Sequence, residues 1–184
     1  MKKMMKKMQN GVLILAAVFL TFATGSAVAD EFPAGEPVEQ FGMEIAGIYL
    51  QPVEMDPAMA DQDPGETDIH LEADIHATDG NAHGFADGDW IPYLMIDYTL
   101  GKEGSDWTQS GMLHPMIASD GPHYGANVAL DGPGLYRVSF RILPPAGDHF
   151  MRHTDQETGI APWWNPIDYA GEFKFIGTGK KGDY

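Results

Sequence analysis

There is no cysteine in the 184 residues of this chain. No disulfide therefore braces the fold, and thiolate zinc, iron–sulfur and blue-copper sites are all excluded. Any metal must be held by His, Met, Asp, Glu or backbone oxygen. Basic residues are also scarce, 11 Lys and Arg against 27 Asp and Glu, for a formal net charge of −16. Nucleic-acid binding rests on neutralising phosphates with Lys and Arg, so nucleic acid is excluded as a partner. Cations are the natural counterpart, although an acidic surface serves solubility equally well. The chain also lacks a nucleophile elbow, a phosphate-binding glycine loop, a dinucleotide fingerprint, internal repeats and low-complexity tracts.

Long apolar runs are missing with one exception. Lys2, Lys3, Lys6 and Lys7 precede an apolar stretch from Val12 to Phe22, and Ala27-Val28-Ala29 places small residues where a signal peptidase reads. Residues 1–29 read as a cleavable secretory signal peptide. The stretch is about 11 residues, whereas a membrane-spanning helix needs about 20. Cleavage leaves 155 residues (184 less 29), enough for one domain with one core. It also removes four lysines, so 7 basic residues face 27 acidic ones, a formal charge of −20.

Residues 30–40 are polar and proline-bearing, which suits a tether or an edge segment. The domain proper, 41–184, is a series of short alternating runs with no helical period sustained over ten residues. Strands are expected at Met43–Gln51, Thr67–Ala77, Ile91–Leu100, Gly111–Ala118, Asn127–Leu130, Gly134–Leu143 and Gly171–Ile176. Such a pattern reads as an all-β, antiparallel sandwich. The run from Asp131 through Gly132-Pro133-Gly134 to Tyr136 looks like the tyrosine corner of immunoglobulin-like folds, in which a phenol ties back to upstream backbone.

In Thr67–Ala77 the apolar residues Ile69, Leu71, Ala73 and Ile75 fall on one face of a period-2 strand, and His70, Glu72, Asp74 and His76 on the other. Same-face neighbours lie roughly 7 Å apart along a strand, so His70 and Glu72 can share one ion or serve two adjacent sites. Alternating polar residues equally describe the solvated outer face of a strand. Met116 and His123 flank a turn and pair a soft thioether with an imidazole, a combination suited to copper, although a methionine at strand spacing also fills cores. His153 sits in a loop beyond Pro144-Pro145. His83, His114 and His149 read as surface residues, and Trp163-Trp164 as a cap on the sandwich or part of an interface.

Several ordered blocks carry a more specific signal. HLEADIHA at His70–Ala77, GDWIPYL at Gly88–Leu94, SDGPHYGANV at Ser119–Val128, RHTDQETG at Arg152–Gly159 and the Trp163-Trp164 pair occur in that order. Together, across Met43–Gly177, the chain resembles the periplasmic high-affinity iron-transport proteins whose genes accompany an inner-membrane iron permease. The resemblance implies an immunoglobulin-like sandwich that forms a homodimer. It also implies a copper site at or near the dimer interface and an adjoining site for iron or manganese. Carried over, the copper ligands are His70, Met116, His123 and His153, with His153 reaching across from the other subunit. Glu72 supplies the harder oxygen ligand for the second metal. This division agrees with ligand preference. His114 departs from the pattern, which has an apolar residue before the Pro-Met pair.

The expected function is therefore a periplasmic metal-binding component of iron uptake that passes iron to a membrane permease, with copper as redox partner or structural ion. A copper-dependent ferroxidase with turnover is the competing enzymatic reading. A structural or adhesive sandwich with incidental histidines is the third.

Overall fold

The computed structural model describes residues 30–177; the signal peptide read from residues 1–29 lies outside them. Nine strands follow one another, and among the described residues there is no helix. They are β1 (Phe32–Pro33), β2 (Val38–Gln40), β3 (Met43–Leu50), β4 (Ile69–Ala77), β5 (Met95–Lys102), β6 (Thr108–Ile117), β7 (Pro122–Val128), β8 (Gly134–Leu143) and β9 (Ile167–Phe175). Every pairing is antiparallel, in the order β1-β3-β4-β7-β6-β5-β8-β9, with β2 also on β3.

The sandwich turns its corner within β6. Leu113 and the residues before it pair with β5, whereas His114–Ile117 pair with β7. Strands that switch sheets make such corners. Pro115, which has no N–H to give to a ladder, sits just past the switch.

Side chains alternate as a strand period requires. From β3, β4 and β7 come Ile45, Ile69, Leu71, Ile75, Tyr124 and Val128. From β5, β8 and β9 come Ile96, Leu100, Val138, Phe140, Tyr169 and Phe173, and all are buried in one core. The Tyr136 hydroxyl donates to the carbonyl of Gly132 at 2.7 Å, so the tyrosine corner is present. The fold is an antiparallel β-sandwich of the immunoglobulin-like kind.

Three of the expected strands start four or more residues away from where the sequence places them. β5 begins at Met95, because Pro92 lacks a donor and Tyr93 takes φ 62°, which breaks the strand. β7 occupies Pro122–Val128 rather than Asn127–Leu130. It is buried on both faces from His123 onward and carries an interior glycine, Gly125, so neither alternation nor β-propensity marks it. β9 starts at Ile167, four residues early, with Gly171 in its middle. A Cβ at Gly171 would strike the Ala34 carbonyl and come within 2.9 Å of Gly35 Cα. The segment before the domain thus packs directly on β9 and supplies the edge strands β1 and β2 to β3.

Candidate metal centre

The polar face of β4 is not a solvated one. His70 is 1 % exposed and Glu72 6 %, while Asp74 and His76 are half-buried. Cross-strand register brings their partners alongside. His70 faces Asn127 and Glu72 faces Gly125 on β7; Gly125 in turn faces His114, and His123 faces Met116, on β6. His123, two residues before Gly125, projects to the same side as Glu72.

These placements converge. Glu72 Oε1 lies 3.6 Å from His70 Nε2 and 3.4 Å from His123 Nε2, and the two rings meet edge-on at 5.8 Å. One donor atom from each of the three residues falls within 4.8 Å of the others. Both Nε2 atoms are buried and have no hydrogen-bond partner. Buried polar nitrogens are nearly always bonded. Two unbonded ones aimed at one carboxylate are what a cation would occupy. Gly125 makes the room: a Cβ there would lie 2.9 Å from His70 Cε1, closer still to Nε2, and 3.3 Å from His123 Cδ2.

Electrostatics point the same way. Burial holds the His70 imidazole down at about 4 and also lowers His123. Burial pushes Glu72 up to about 8, with the carboxylates of Asp74, Glu31 and Asp120 adding to the rise. At neutral pH the metal-free group therefore presents neutral imidazoles, ready to ligate, and a carboxyl whose proton a cation would displace.

Beside Glu72 and His123 opens a cavity of about 200 Å³, lined also by Glu31, Asp74, His76 and Asp120. Asp74 is raised to about 6 by burial, opposed by His76 and reinforced by Glu31 and Asp120. Glu31 is raised by burial and by Asp120. Hard oxygen donors thus adjoin the imidazole pair, and the two donor sets suit different metals.

Of the residues expected at the site, His70, Glu72 and His123 are brought together, and Met116 sits directly across from His123, half-buried. His153 is not with them. It lies in the exposed loop after β8, its Nδ1 2.7 Å from Thr158 Oγ1, whose hydroxyl is given to Asp155 Oδ2 at 2.8 Å. Nδ1 must therefore donate, which leaves Nε2 as the free acceptor nitrogen. His149 is exposed as expected and His114 keeps part of its surface, but His83 is not a surface residue. His83 is 8 % exposed, its Nε2 3.2 Å from the Pro162 carbonyl and its ring stacked on Trp163 at 6.0 Å. It is covered because the Asn81–Gly84 turn folds onto the tryptophan pair, tied by Asn81 Nδ2 to the Gly42 carbonyl. His114 is half-buried, in the same cross-strand row as Glu72.

Gly125 and Asn127, and the cavity carboxylates Glu31 and Asp120, escaped the sequence reading. The signal for Gly125 was its place between His123 and Asn127 on a strand, since glycine inside a strand often marks close approach by another group. Asn127 had only the general need of a ligating imidazole for a partner on its other nitrogen.

Comparison with known proteins bears on this geometry. The sequence model of a family described as Fe2+ transport protein matches residues 28–177. A UPF0423 protein of Brucella abortus is 46% identical over 183 residues, covering 98% of this chain and 100% of that protein. A copper-bound variant of FetP from uropathogenic Escherichia coli shares 50% identity and superposes with a TM-score of 0.78, over 80% of this chain and 99% of that one. FetP has also been recombinantly expressed in the Escherichia coli periplasm. A copper-reconstituted protein of Campylobacter jejuni shares 46% identity at a TM-score of 0.78, over 82% of this chain and 99% of that one.

Proposed function

The chain belongs to the Fe2+ transport protein family, and from that premise we propose that it is a periplasmic metal-binding component of an iron-uptake system. In this reading copper is held by His70, Met116 and His123, with His153 offered by a second copy of the chain. Iron or manganese occupies the adjoining carboxylate-lined cavity through Glu72. Iron then passes to an inner-membrane permease. The lysine-led apolar leader supports export. The observation that carries the reading is the pair of buried, unpartnered imidazole Nε2 atoms facing Glu72.

When bound, copper would supply a one-electron redox couple or a fixed structural charge. The chain's own contribution is to present neutral imidazoles, to exclude water from them by burial, and to place carboxylates beside them for the harder ion. Equilibrium dialysis with Cu²⁺ tests the reading. The wild-type protein binds, and a His70→Ala, Met116→Ala double variant does not. Equal binding by both would sink it.

The adjacency of the two donor sets also favours a second reading, a ferroxidase with turnover. Each Fe²⁺ in the acidic cavity would lose one electron, with dioxygen as the final acceptor. Catalytic oxygen consumption with excess Fe²⁺ would establish it, and stoichiometric oxidation or none would favour the binding protein.

A further inference from the structure

Asn127 is 3 % exposed and its carboxamide is fully committed. Its Nδ2 donates to the carbonyls of Val53 at 2.7 Å and Gln62 at 2.9 Å, and its Oδ1 accepts from the Val53 N–H at 3.1 Å. Three backbone groups therefore fix which end is oxygen and which is nitrogen. That same Oδ1 lies 2.8 Å from His70 Nδ1. An amide oxygen can only accept, so Nδ1 carries the hydrogen and Nε2 carries the lone pair. Nε2 is the atom that faces Glu72.

We infer that Asn127 is a positioning residue for the metal centre: its side-chain oxygen selects the Nδ1–H tautomer of His70 and so makes Nε2 the ligating atom. The inference rests on the proposed copper ligation by His70, but its first readout needs no metal. The amide does a second job, tying the 53–62 segment to β7, helped by Gln62 Oε1 accepting from the Asn127 N–H at 3.1 Å. A purely structural role would act through that segment alone. The two roles separate because only one passes through Oδ1 and the imidazole.

The test compares three variants in the full mature chain. Long-range nitrogen–proton NMR correlation of the histidine rings in metal-free protein reports the His70 tautomer. Amide exchange over 53–62 reports the loop, and competitive chelator titration reports copper affinity. Asn127→Leu is expected to lose the Nδ1–H tautomer and to weaken copper binding by about 10- to 100-fold, as loss of an outer-shell partner does. Asn127→Asp keeps an acceptor for His70 and is expected to hold both tautomer and affinity while its loop exchanges faster. Gln62→Ala is expected to loosen the loop and leave copper affinity unchanged. Copper affinity that follows loop exchange across the set, with Asn127→Asp or Gln62→Ala as weak as Asn127→Leu, would overturn the inference. So would an Asn127→Leu protein that keeps the wild-type tautomer. Should Asn127→Leu fail to fold, the Asn127→Asp and Gln62→Ala pair still decides between tautomer and loop.

If wild-type protein binds no copper, the function proposed above fails while the tautomer result stands on its own. If copper binds and the tautomer is indifferent to Asn127, only this inference fails.

Discussion

Replacing Gly125 by alanine should damage the metal centre more than the fold. The backbone at Gly125 is ordinary strand, outside the left-handed region, so the substitution is conformationally favourable, by about 0.4–1 kcal/mol. The obstacle is the space beyond. The new Cβ would lie 2.9 Å from His70 Cε1 and closer still to Nε2, and 3.3 Å from His123 Cδ2, against an optimal carbon contact of about 3.5–4.0 Å. The His70 ring must retreat by roughly 1 Å, while its Nδ1 is held at 2.8 Å by Asn127. Overpacking of this kind costs about 1–3 kcal/mol. Set against the backbone gain, a net loss of about 1–2 kcal/mol is expected, or roughly 2–8 °C in Tm for a domain of this size. Metal ligation tolerates errors of only about 0.2 Å, so copper affinity should fall by about 100-fold, the upper end of what loss of a supporting group costs. Calorimetry of the metal-free protein and competitive chelator titration measure the two effects. Adding His70→Ala to Gly125→Ala removes the collision, so the stability losses of the two should be non-additive by about 1 kcal/mol or more. Wild-type copper affinity in Gly125→Ala, or simple additivity in the double variant, would refute the reasoning.

Glu72 gives the metal-free protein a pH dependence near neutrality. Its carboxyl is raised from 4.5 to about 8, so the folded state keeps a proton that the unfolded chain has released, and this group's contribution to stability falls as pH rises between those values. The lowered imidazoles act in the opposite sense, because the unfolded chain still protonates histidine around its ordinary value of 6.5; above about pH 7 they and Asp74, at about 6, fall away and leave Glu72 to dominate. Stability should drop between pH 7 and 8, by up to about 1 kcal/mol at about 1.4 kcal/mol for each pH unit, with Tm falling in step, and Glu72→Gln should flatten that drop; an equal slope in both proteins counts against the assignment. The proposed sharing of His153 between subunits can be tested by mixing: His70→Ala and His153→Ala chains, each defective alone, should together regain about a quarter of wild-type copper capacity after random re-association into the proposed twofold dimer. No recovery on mixing would place His153 in its own subunit's site or in none.

The alternation in IHLEADIHA fixed which side chains of β4 share a face, because a strand's period is a local property. It was silent on burial, since a polar face reads alike whether water or protein lies over it. What covers His70 and Glu72 arrives from far along the chain: His70 meets Asn127 across 57 residues, on a strand whose pattern is erased by burial on both faces and by Gly125. The same features that hid β7 from the sequence make it the wall of the site. Cross-strand register, absent from any local pattern, then set Met116 opposite His123 and left His153 to a loop of its own. His83 shows the converse error, because a Gly- and Asp-rich loop suggests exposure, yet the indoles of Trp163 and Trp164 gave it a place to pack. Resemblance implies the ligand set; for three of its members, His70, Glu72 and His123, geometry adds a physical reason. An unbonded buried nitrogen costs about 1–3 kcal/mol, and among the described residues His70 and His123 each carry one within 3.6 Å of the same oxygen of a carboxyl that burial keeps from ionising. Filling the space with apolar side chains would relieve all three costs and remove the site. A bound cation relieves them as well, by accepting both lone pairs and favouring the ionised carboxylate. The instability of the empty centre is therefore free energy made available to metal binding, and copper should raise Tm more in the wild-type protein than in Glu72→Gln at equal saturation.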